Sequence, residues 1–337
     1  MISRPSGQTL LLAGVVAASC VLVAYLLVFH DPSPARGTAE THDRLTLADI
    51  PFGGARAYDY LHELCALGTR VSGSKGMQAQ QELLTAHFQK LGGKVHLQKF
   101  RIRHPSTGRP VSMANLIVEW YPERRERILL CAHYDTRPFP NQDRRNPRGT
   151  FLGANDGASG TALLMELGHQ MAALEGKLGV DFVFFDGEEF VFEEGRDPYF
   201  VGSEYFATTY VNDRARPYRY RSAVLLDMIA DADLQIYPDR QTLSWEDSRP
   251  LVDAIWGTAR RLGVTEFMVD RRYDVLDDHV KLHEIAKIPS CDIIDFSYRA
   301  WHTQADTPES CSALSMAKVG WVVQDWLRQA VGPVEKR

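Results

Sequence analysis

VFFDGEEF, residues 183–190, runs from an apolar, strand-like segment directly into three carboxylates, Asp186, Glu188 and Glu189. Neighbouring carboxylates repel one another, so their close spacing needs a compensating partner. Water supplies that partner if the stretch is an acidic surface turn. A bound metal ion supplies it more strongly, because its charge converts the repulsion between the carboxylates into a binding site.

The apolar part of this stretch is one of several that alternate with helical patterns. Continuous apolar runs are typical of strands buried on both faces of a sheet, and apolar residues three and four apart are typical of helices. The predicted strands are 94–102, 114–121, RILLCAH (127–133), VDFVFFD (180–186), SAVLLDMI (222–229) and IPSCDIIDF (288–296). The predicted helices are 57–68, 75–93, 156–174, 248–262 and 312–330. This alternation predicts an α/β fold, a three-layer sandwich around a central mixed, mostly parallel sheet.

Length and composition are those of an ordinary globular protein. The 337 residues are 45% hydrophobic and 24% charged, which is ample apolar material for a large core. The formal net charge of -5 and the pI near 6.1 give no support to nucleic-acid binding. We therefore expect no nucleic-acid partner.

The N-terminus has a different character. TLLLAGVVAASCVLVAYLLVF, residues 9–29, carries no charge and is long enough to cross a bilayer as a helix. Because Arg4 and the free amine precede it, we expect residues 1–8 in the cytoplasm and 9–29 as a single-pass anchor. A polar linker at 30–48 then leads to a folded domain at 49–332 on the periplasmic side. A cleaved signal peptide is the alternative interpretation of the apolar run.

The cysteines give limited information. Apart from Cys20 in the apolar run, the chain has Cys65, Cys131, Cys291 and Cys311, with no CxxC pair that would predict a structural zinc knuckle. In an extracytoplasmic domain a disulfide such as one between Cys291 and Cys311 could form.

Polar residues recur where the predicted buried strands end. His133 and Asp135 follow one strand, and Glu188 and Glu189 follow another. In open α/β sheets, ligands bind beyond the carboxyl ends of the strands. The full series of candidate residues is His133, Asp135, Asp156, Glu188, Glu189, Asp227, Asp277, Asp278, His279 and His302. This mixture of carboxylate and imidazole groups is what hard and borderline metal ions bind.

The ordered set resembles the zinc aminopeptidase-like superfamily of exopeptidases. That family uses a His-x-Asp, a metal-binding Asp before a small-residue helix, a Glu-Glu pair, a strand Asp and a late His. The matching stretches are HYD (133–135), GANDGASG (153–160), EE (188–189), LLDM (225–228) and HT (302–303). The resemblance covers roughly residues 50–330 and implies a zinc-dependent catalytic domain with the metal at the strand ends.

Two enzyme branches share this framework. In the aminopeptidase branch, two zinc ions activate a water that attacks a peptide carbonyl. The resemblance then implies that Glu188 is the general base and that the second metal is held by His133 and Asp227. In the animal-type glutaminyl cyclase branch, one zinc ion suffices, because the nucleophile is the substrate's own N-terminal amine and is already held close.

For the cyclase branch the resemblance implies a residue-by-residue assignment. The zinc ligands would be Asp156, Glu189 and His302. Glu188 would carry a proton from the amine to the departing ammonia. Asp227 would orient the amine and share a hydrogen bond with Asp277. Trp301 and Val275 would line the substrate, and Asp135 would support the metal site.

Several details favour the cyclase branch. VLDDHVKL resembles the cyclases' Asp-Asp-His, whereas aminopeptidases commonly place a serine before the Asp-His. The stretches HYDTRPFPNQD, FVGSEYFA (200–207) and CDIIDFSYRAWHT also resemble bacterial cyclases. Animal cyclases carry a tryptophan soon after the Glu pair, where this chain has Phe190, Phe192 and Glu194. We predict one zinc ion and peptide or protein N-termini as substrate. The alternatives are a two-zinc aminopeptidase and a catalytically silent binding protein.

Overall fold

A computed structural model describes residues 45–333 of the chain. The predicted anchor at 9–29 and most of the predicted linker lie outside the described residues, so the anchor and the periplasmic location stay predictions. Within residues 45–333 no helix is both long and apolar enough to cross a membrane. A short 3-10 helix, Leu47–Asp49, lies at the predicted boundary between linker and folded domain.

The described residues form six strands and eight α-helices. The strands are β1 (Lys94–Arg103), β2 (Pro110–Trp120), β3 (Glu126–His133), β4 (Gly179–Phe185), β5 (Arg219–Asp227) and β6 (Ser290–Ile294). The helices are α1 (Gly54–Ala66), α2 (Lys75–Lys90), α3 (Ala158–Met171), α4 (Val201–Asn212), α5 (Arg240–Ser244), α6 (Arg249–Leu262), α7 (Asp278–Glu284) and α8 (Ala313–Ala330).

The strands form one mixed sheet in the order β1-β2-β4-β3-β5-β6. Strand β2 is antiparallel to β1 and β4, whereas the pairs β3–β4, β3–β5 and β5–β6 are parallel. The predicted mixed, mostly parallel sheet is therefore confirmed. The carboxyl ends of β3, β4, β5 and β6 all lie at one edge of the sheet.

Helices cover both faces of this sheet. Successive strand residues point to opposite faces, so Leu130 and Phe184 pack into one core, which also contains residues of α1, α2, α3, α6 and α8. Leu129 and Val183 pack into a second core with residues of α4 and α7. Burial on both faces explains why these strands are continuously apolar. The predicted three-layer arrangement is confirmed.

Every predicted strand and helix is present, with ends displaced by a few residues, but α4, α5 and α7 were not predicted. Helices α5 and α7 have 5 and 7 residues, too few for a helical repeat to be read from sequence. Helix α4 buries Gly202 and Ser203 as part of its inner face, and these small residues weaken its apolar pattern.

The disulfide considered between Cys291 and Cys311 does not form. Cys65, Cys131, Cys291 and Cys311 are all free and buried. Burial raises the pKa of the Cys291 and Cys311 thiols well above the usual range. A buried, protonated thiol is a small apolar core group and is chemically inert.

Asp239 connects α5 to the loop that precedes α7. Its carboxylate accepts hydrogen bonds from the backbone N–H groups of Gln241 at 3.1 Å, Thr242 at 2.8 Å and Val275 at 2.9 Å. Burial raises the pKa of the Asp239 carboxyl group, but contact with His279 and the backbone hydrogen bonds outweigh this effect and lower the pKa to about 2. The ionised carboxylate therefore stabilises the loop that carries Val275.

Asp239→Asn is expected to lower the free energy of unfolding at pH 7 by about 2 kcal/mol, the value of a pKa lowered from 3.8 to about 2. Because the folded-state pKa is depressed, this stability is present above pH 3.8 and is lost as the pH falls through about 2. Urea unfolding at several pH values should show the variant and the wild type converging below pH 4. The exposed Asp253 of α6 gives a control: Asp253→Asn should unfold like the wild type at every pH. A constant difference for Asp239→Asn between pH 7 and pH 2.5 would contradict the electrostatic explanation.

Candidate active site

The predicted site residues gather at the carboxyl edge of the parallel strands. His133 ends β3, Asp227 ends β5, and Glu188 and Glu189 follow β4. His302 lies in the segment after β6. All five side chains are buried. The parallel register of the strands therefore brings together residues that are far apart in sequence.

The turn after β4 presents Glu188 and Glu189 to this edge. Gly187 has a φ of 77°, a backbone conformation that glycine adopts without strain. The two carboxylate oxygens of Asp135 accept hydrogen bonds from the backbone N–H groups of Glu188 and Glu189, each at 3.1 Å. Asp135 thus holds the backbone of both glutamates at once. Its support of a metal site stays a prediction.

Asp186 stabilises the same turn through a separate set of hydrogen bonds. Its carboxylate accepts hydrogen bonds from the Ser72 hydroxyl at 2.6 Å and from the Ala114 N–H at 2.8 Å. Its own N–H donates to Asn115 Oδ1 at 3.0 Å. Of the three carboxylates in VFFDGEEF, Asp186 therefore stabilises the turn, whereas Glu188 and Glu189 face the site.

Asp156, Glu189 and His302 form a compact group. His302 Nε2 lies 2.7 Å from Glu189 Oε1 and 3.6 Å from Asp156 Oδ2. One ligand atom from each of the three residues lies within 4.8 Å of the other two. Asp156 Oδ2 and Glu189 Oε2 are buried and have no hydrogen-bond partner among residues 45–333. Buried polar atoms without partners are costly unless a ligand satisfies them.

This donor set fits zinc. Two carboxylates and one imidazole are within the range of ligands that zinc accepts in catalytic sites, which keep a further coordination position open. The orphaned oxygens of Asp156 and Glu189 are the atoms that such an ion would satisfy.

Two further groups at this edge also have metal-ligand spacing. His133 Nε2 lies 3.1 Å from Asp156 Oδ1 and 3.1 Å from Asp227 Oδ1, and the three residues offer ligand atoms within 4.8 Å of one another. His133, Glu188 and Glu189 form the other group. Because Asp156 belongs to two groups, it could bridge a pair of metal ions, as the aminopeptidase alternative requires.

The electrostatics of this edge reflect crowded, buried carboxylates. Burial and Glu189 raise the pKa of Asp156 well above its usual value, against the lowering effect of His133. Burial likewise raises the pKa of Glu188. Burial also raises the pKa of Glu189, but His302 and Arg137 outweigh this effect and lower the pKa to about 2. Without a cation these acids compete for protons, whereas a divalent ion stabilises them in the ionised form.

Asp135→Ala is expected to weaken zinc binding by about 10- to 100-fold, the usual cost of losing a residue that orients a ligand. It should also lower the free energy of unfolding by about 2 kcal/mol, because two buried N–H groups lose their acceptor. Competition with a chromophoric chelator measures the zinc affinity, and urea unfolding measures the stability.

Asp197→Ala is the matched control for this prediction. Asp197 also accepts two backbone N–H groups, from Phe192 and Glu193, each at 2.8 Å, but not from a ligand. Its loss should reduce stability without reducing zinc affinity. Equal zinc affinities for the wild type and Asp135→Ala would show that Asp135 does not position the glutamates.

The metal-ligand group opens into a cavity of about 380 Å³. Trp301 and Val275, the predicted substrate-binding residues, both line it. The Trp301 ring lies 4.1 Å from the His302 ring and 5.1 Å from the Phe296 ring, so an aromatic wall stands beside the ligands. Glu188 also lines the cavity. The volume suits a small ligand or a terminal residue of a larger one.

The backbone around this cavity is strained. Phe200, Met228 and His302 have φ values of 61°, 46° and 54°, which are uncommon for residues other than glycine. All three line the cavity. Such conformations cluster at functional sites, where the surrounding structure maintains them.

Further buried acids lie near Asp227. Burial, Asp227 and Asp278 raise the pKa of Asp277 well above its usual value, and burial raises the pKa of Asp278 to about 7. A protonated carboxyl group can donate a hydrogen bond, as the predicted bond between Asp277 and Asp227 requires. That bond itself stays a prediction.

Asp306 positions the backbone of the candidate metal ligand Asp156 and was not predicted. Its carboxylate accepts hydrogen bonds from the backbone N–H groups of Asn155 at 2.8 Å and Asp156 at 3.2 Å, and from the Tyr298 hydroxyl at 2.8 Å. The only sequence signal is its place four residues after His302 in WHTQAD.

Two buried arginines were also not predicted. Arg70 donates to the backbone carbonyl oxygens of Leu152 at 2.9 Å and Gly153 at 2.9 Å, in the loop before Asp156. Arg137 contacts Glu189 at 3.3 Å. Arg137 lies in HYDTRPFPNQD, a stretch that resembles bacterial cyclases, but nothing in that stretch shows that its side chain is buried against Glu189. Both arginines place positive charge near the crowded carboxylates.

Fold and site together define a zinc-exopeptidase-like α/β protein, and the chain belongs to Peptidase family M28, which matches residues 115–327. Among solved structures it is similar to the glutaminyl cyclase of Fimbriiglobus ruber, with 43% identity, a TM-score of 0.79 and coverage of 83% of this chain and 96% of that chain. It is also similar to a leucine aminopeptidase precursor from Bacteroides thetaiotaomicron, with 27% identity, a TM-score of 0.76 and coverage of 82% and 97%.

A curated relative is the glutaminyl-peptide cyclotransferase of Bos taurus. It is 25% identical over 287 residues, which cover 76% of each chain. The predicted resemblance to glutaminyl cyclases within the zinc exopeptidase group is confirmed. Membership of this family implies an enzyme with a zinc-type metal.

Proposed function

We propose that this chain is a zinc-dependent glutaminyl cyclase, which converts the N-terminal glutamine of peptides or proteins to pyroglutamate and releases ammonia. The observation that carries the proposal is the shared cavity: Asp156, Glu189 and His302 line it together with Glu188 and Trp301. The 43% identity to a bacterial glutaminyl cyclase supports the same choice.

The reaction makes one bond and breaks another. The α-amine nitrogen of the substrate bonds to its own side-chain amide carbon, and the bond from that carbon to the amide nitrogen breaks. A zinc ion held by Asp156, Glu189 and His302 would polarise the side-chain carbonyl. Glu188 accepts a proton from the attacking amine and transfers it to the departing nitrogen, which leaves as ammonia.

The remaining cavity residues bind and orient the substrate. Asp227 lines the cavity and accepts a hydrogen bond from the substrate amine. Asp277 supports Asp227 in that orientation. Trp301 and Val275 pack against the substrate side chain and limit the access of water, which would otherwise compete as nucleophile.

A two-zinc aminopeptidase is the second candidate. It is favoured by the group of His133, Asp156 and Asp227, which offers ligand atoms for a second ion, and by the similarity to a leucine aminopeptidase precursor. A catalytically silent binding protein is the third candidate, and a zinc content near zero in the purified protein would support it.

One experiment separates these functions. The full-length chain is loaded with zinc and incubated with a peptide that begins Gln-Leu, and the products are followed by mass spectrometry. Loss of one ammonia from an otherwise intact peptide establishes the cyclase. Release of free glutamine establishes the aminopeptidase and refutes the proposal. An unchanged peptide, from a protein that retains almost no zinc, supports the silent binding protein.

A further inference from the structure

Arg137 is a buried arginine that contacts both the metal-ligand group and the wall of the cavity. Its side chain is 2% exposed. Nη1 lies 3.3 Å from Glu189 Oε1. Nη2 donates to Glu194 Oε2 at 2.5 Å and to the Tyr199 hydroxyl at 2.9 Å. Glu194 and Tyr199 both line the cavity.

The contact with Glu189 distinguishes its two carboxylate oxygens. Arg137 and His302 both contact Oε1. Oε2 is buried without a hydrogen-bond partner in the described part of the chain. If His302 instead binds zinc, Arg137 still holds Oε1. The guanidinium therefore occupies Oε1 and leaves Oε2 as the oxygen that would be available to a metal ion.

Arg137, Glu194 and Tyr199 each contact the other two, and Glu194 and Tyr199 belong to the wall of the cavity. Besides its bond from Arg137, Glu194 accepts a hydrogen bond from the Tyr199 hydroxyl at 2.6 Å. The Arg137 guanidinium also lies 5.5 Å from the centre of the Tyr199 ring. Glu194 itself is 60% exposed, so these contacts anchor an otherwise exposed segment.

We infer that Arg137 is a positioning residue that orients Glu189 to bind zinc through one oxygen and holds the Glu194–Tyr199 segment as a wall of the substrate cavity. The inference about the wall rests on the proposed function, because it concerns the binding of the substrate peptide. The inference about Glu189 concerns zinc binding and can be tested without turnover.

The geometry calls for arginine at this position. A planar guanidinium offers several N–H donors in fixed directions, so one side chain can serve Glu189 with one nitrogen and Glu194 with the other. A lysine ammonium carries a similar charge at a single point and cannot reach both partners in the same way. The two substitutions therefore separate charge from geometry.

The test compares variants by zinc affinity and by steady-state kinetics. Arg137→Met is expected to weaken zinc binding by about 10- to 100-fold, as is usual when a partner of a ligand is removed. Arg137→Lys should restore part of the zinc affinity because it keeps the charge. Zinc affinity is measured by competition with a chromophoric chelator. KM and kcat are measured with the Gln-Leu peptide.

Two further variants separate the contacts. Glu194→Gln removes the negative charge that pairs with Arg137 and one of the two oxygens that accept from Arg137, Asn141 and Tyr199. It leaves the contact between Arg137 and Glu189 in place, so KM should rise several-fold while zinc affinity stays unchanged. Arg196→Met is the matched control, because Arg196 is an exposed arginine of the same segment that pairs with Glu193. It should behave like the wild type in both measurements.

Each outcome bears on the inference. Wild-type zinc affinity in Arg137→Met overturns it, as does a loss of zinc affinity in Glu194→Gln equal to that in Arg137→Met. If Arg137→Met does not fold, Arg137→Lys decides: a weaker zinc affinity supports the inference, and an unchanged affinity overturns it. If the wild type binds zinc but does not convert the Gln-Leu peptide, the proposed function fails, while the zinc measurements still test Arg137.

Discussion

Glu188→Gln is expected to lower the rate of pyroglutamate formation by about 100- to 10,000-fold, the usual contribution of a general acid–base group. Glutamine keeps the size and polarity of the side chain but cannot accept and return a proton. Glu188 is not a member of the Asp156, Glu189 and His302 group, so zinc should remain bound. Ammonia release measures the rate, and elemental analysis measures zinc per chain.

Glu193→Gln provides the control for Glu188→Gln. Glu193 is an exposed glutamate in the segment after the turn and pairs with Arg196. Its substitution should leave both the rate and the zinc content unchanged. Full activity in Glu188→Gln would refute the proton-transfer role. Loss of zinc in Glu188→Gln would instead identify Glu188 as a ligand, as its group with His133 and Glu189 allows.

Glu189→Ala is expected to abolish activity by a different route, through loss of the metal. Removing a residue that binds the metal ion directly should weaken zinc binding by more than the roughly 10- to 100-fold that is typical of removing a residue behind it. An ion that binds only the folded protein raises the melting temperature of that protein. Added zinc should therefore raise the melting temperature of the wild type and leave that of Glu189→Ala unchanged.

The stability of Glu189→Ala needs its own control, because the substitution removes the acidic partner of the buried Arg137. Leaving one buried charge of an ion pair without its partner typically costs about 3 to 5 kcal/mol. Glu189→Gln keeps an oxygen for Arg137 and separates this cost from the loss of zinc. If zinc still raises the melting temperature of Glu189→Ala as it does for the wild type, Glu189 is not a ligand.

These two predictions distinguish roles within one pair of neighbouring residues. Glu188 and Glu189 share the same turn, and Asp135 holds the backbone N–H groups of both. Their environments differ: Arg137 and His302 favour the ionised form of Glu189, whereas burial favours the protonated form of Glu188. A ligand has to be ionised, while a proton carrier has to change state during the reaction. The same sequence pair thus supplies two different chemical functions.

Much of this protein follows from its sequence alone. Apolar runs such as RILLCAH and VDFVFF indicate buried strands, because both faces of the sheet are covered. The order of His133, Asp156, Glu189, Asp227 and His302 indicates the zinc exopeptidase-like group. These signals are local: each depends on a few neighbouring residues whose periodicity or motif can be read directly.

The tertiary structure alone decides which atoms meet at the strand ends. Arg137 and Glu189 are 52 residues apart, Asp135 and Glu188 are 53 apart, and Asp306 and Asp156 are 150 apart. Arg137 and Asp306 lie near recognisable motifs, but no local pattern shows that their side chains are buried against the metal ligands. Their positions depend on strand order and register across the sheet, which set the contacts between distant segments. Local sequence therefore specifies the ligand types and their order, whereas long-range pairing specifies how each ligand is held.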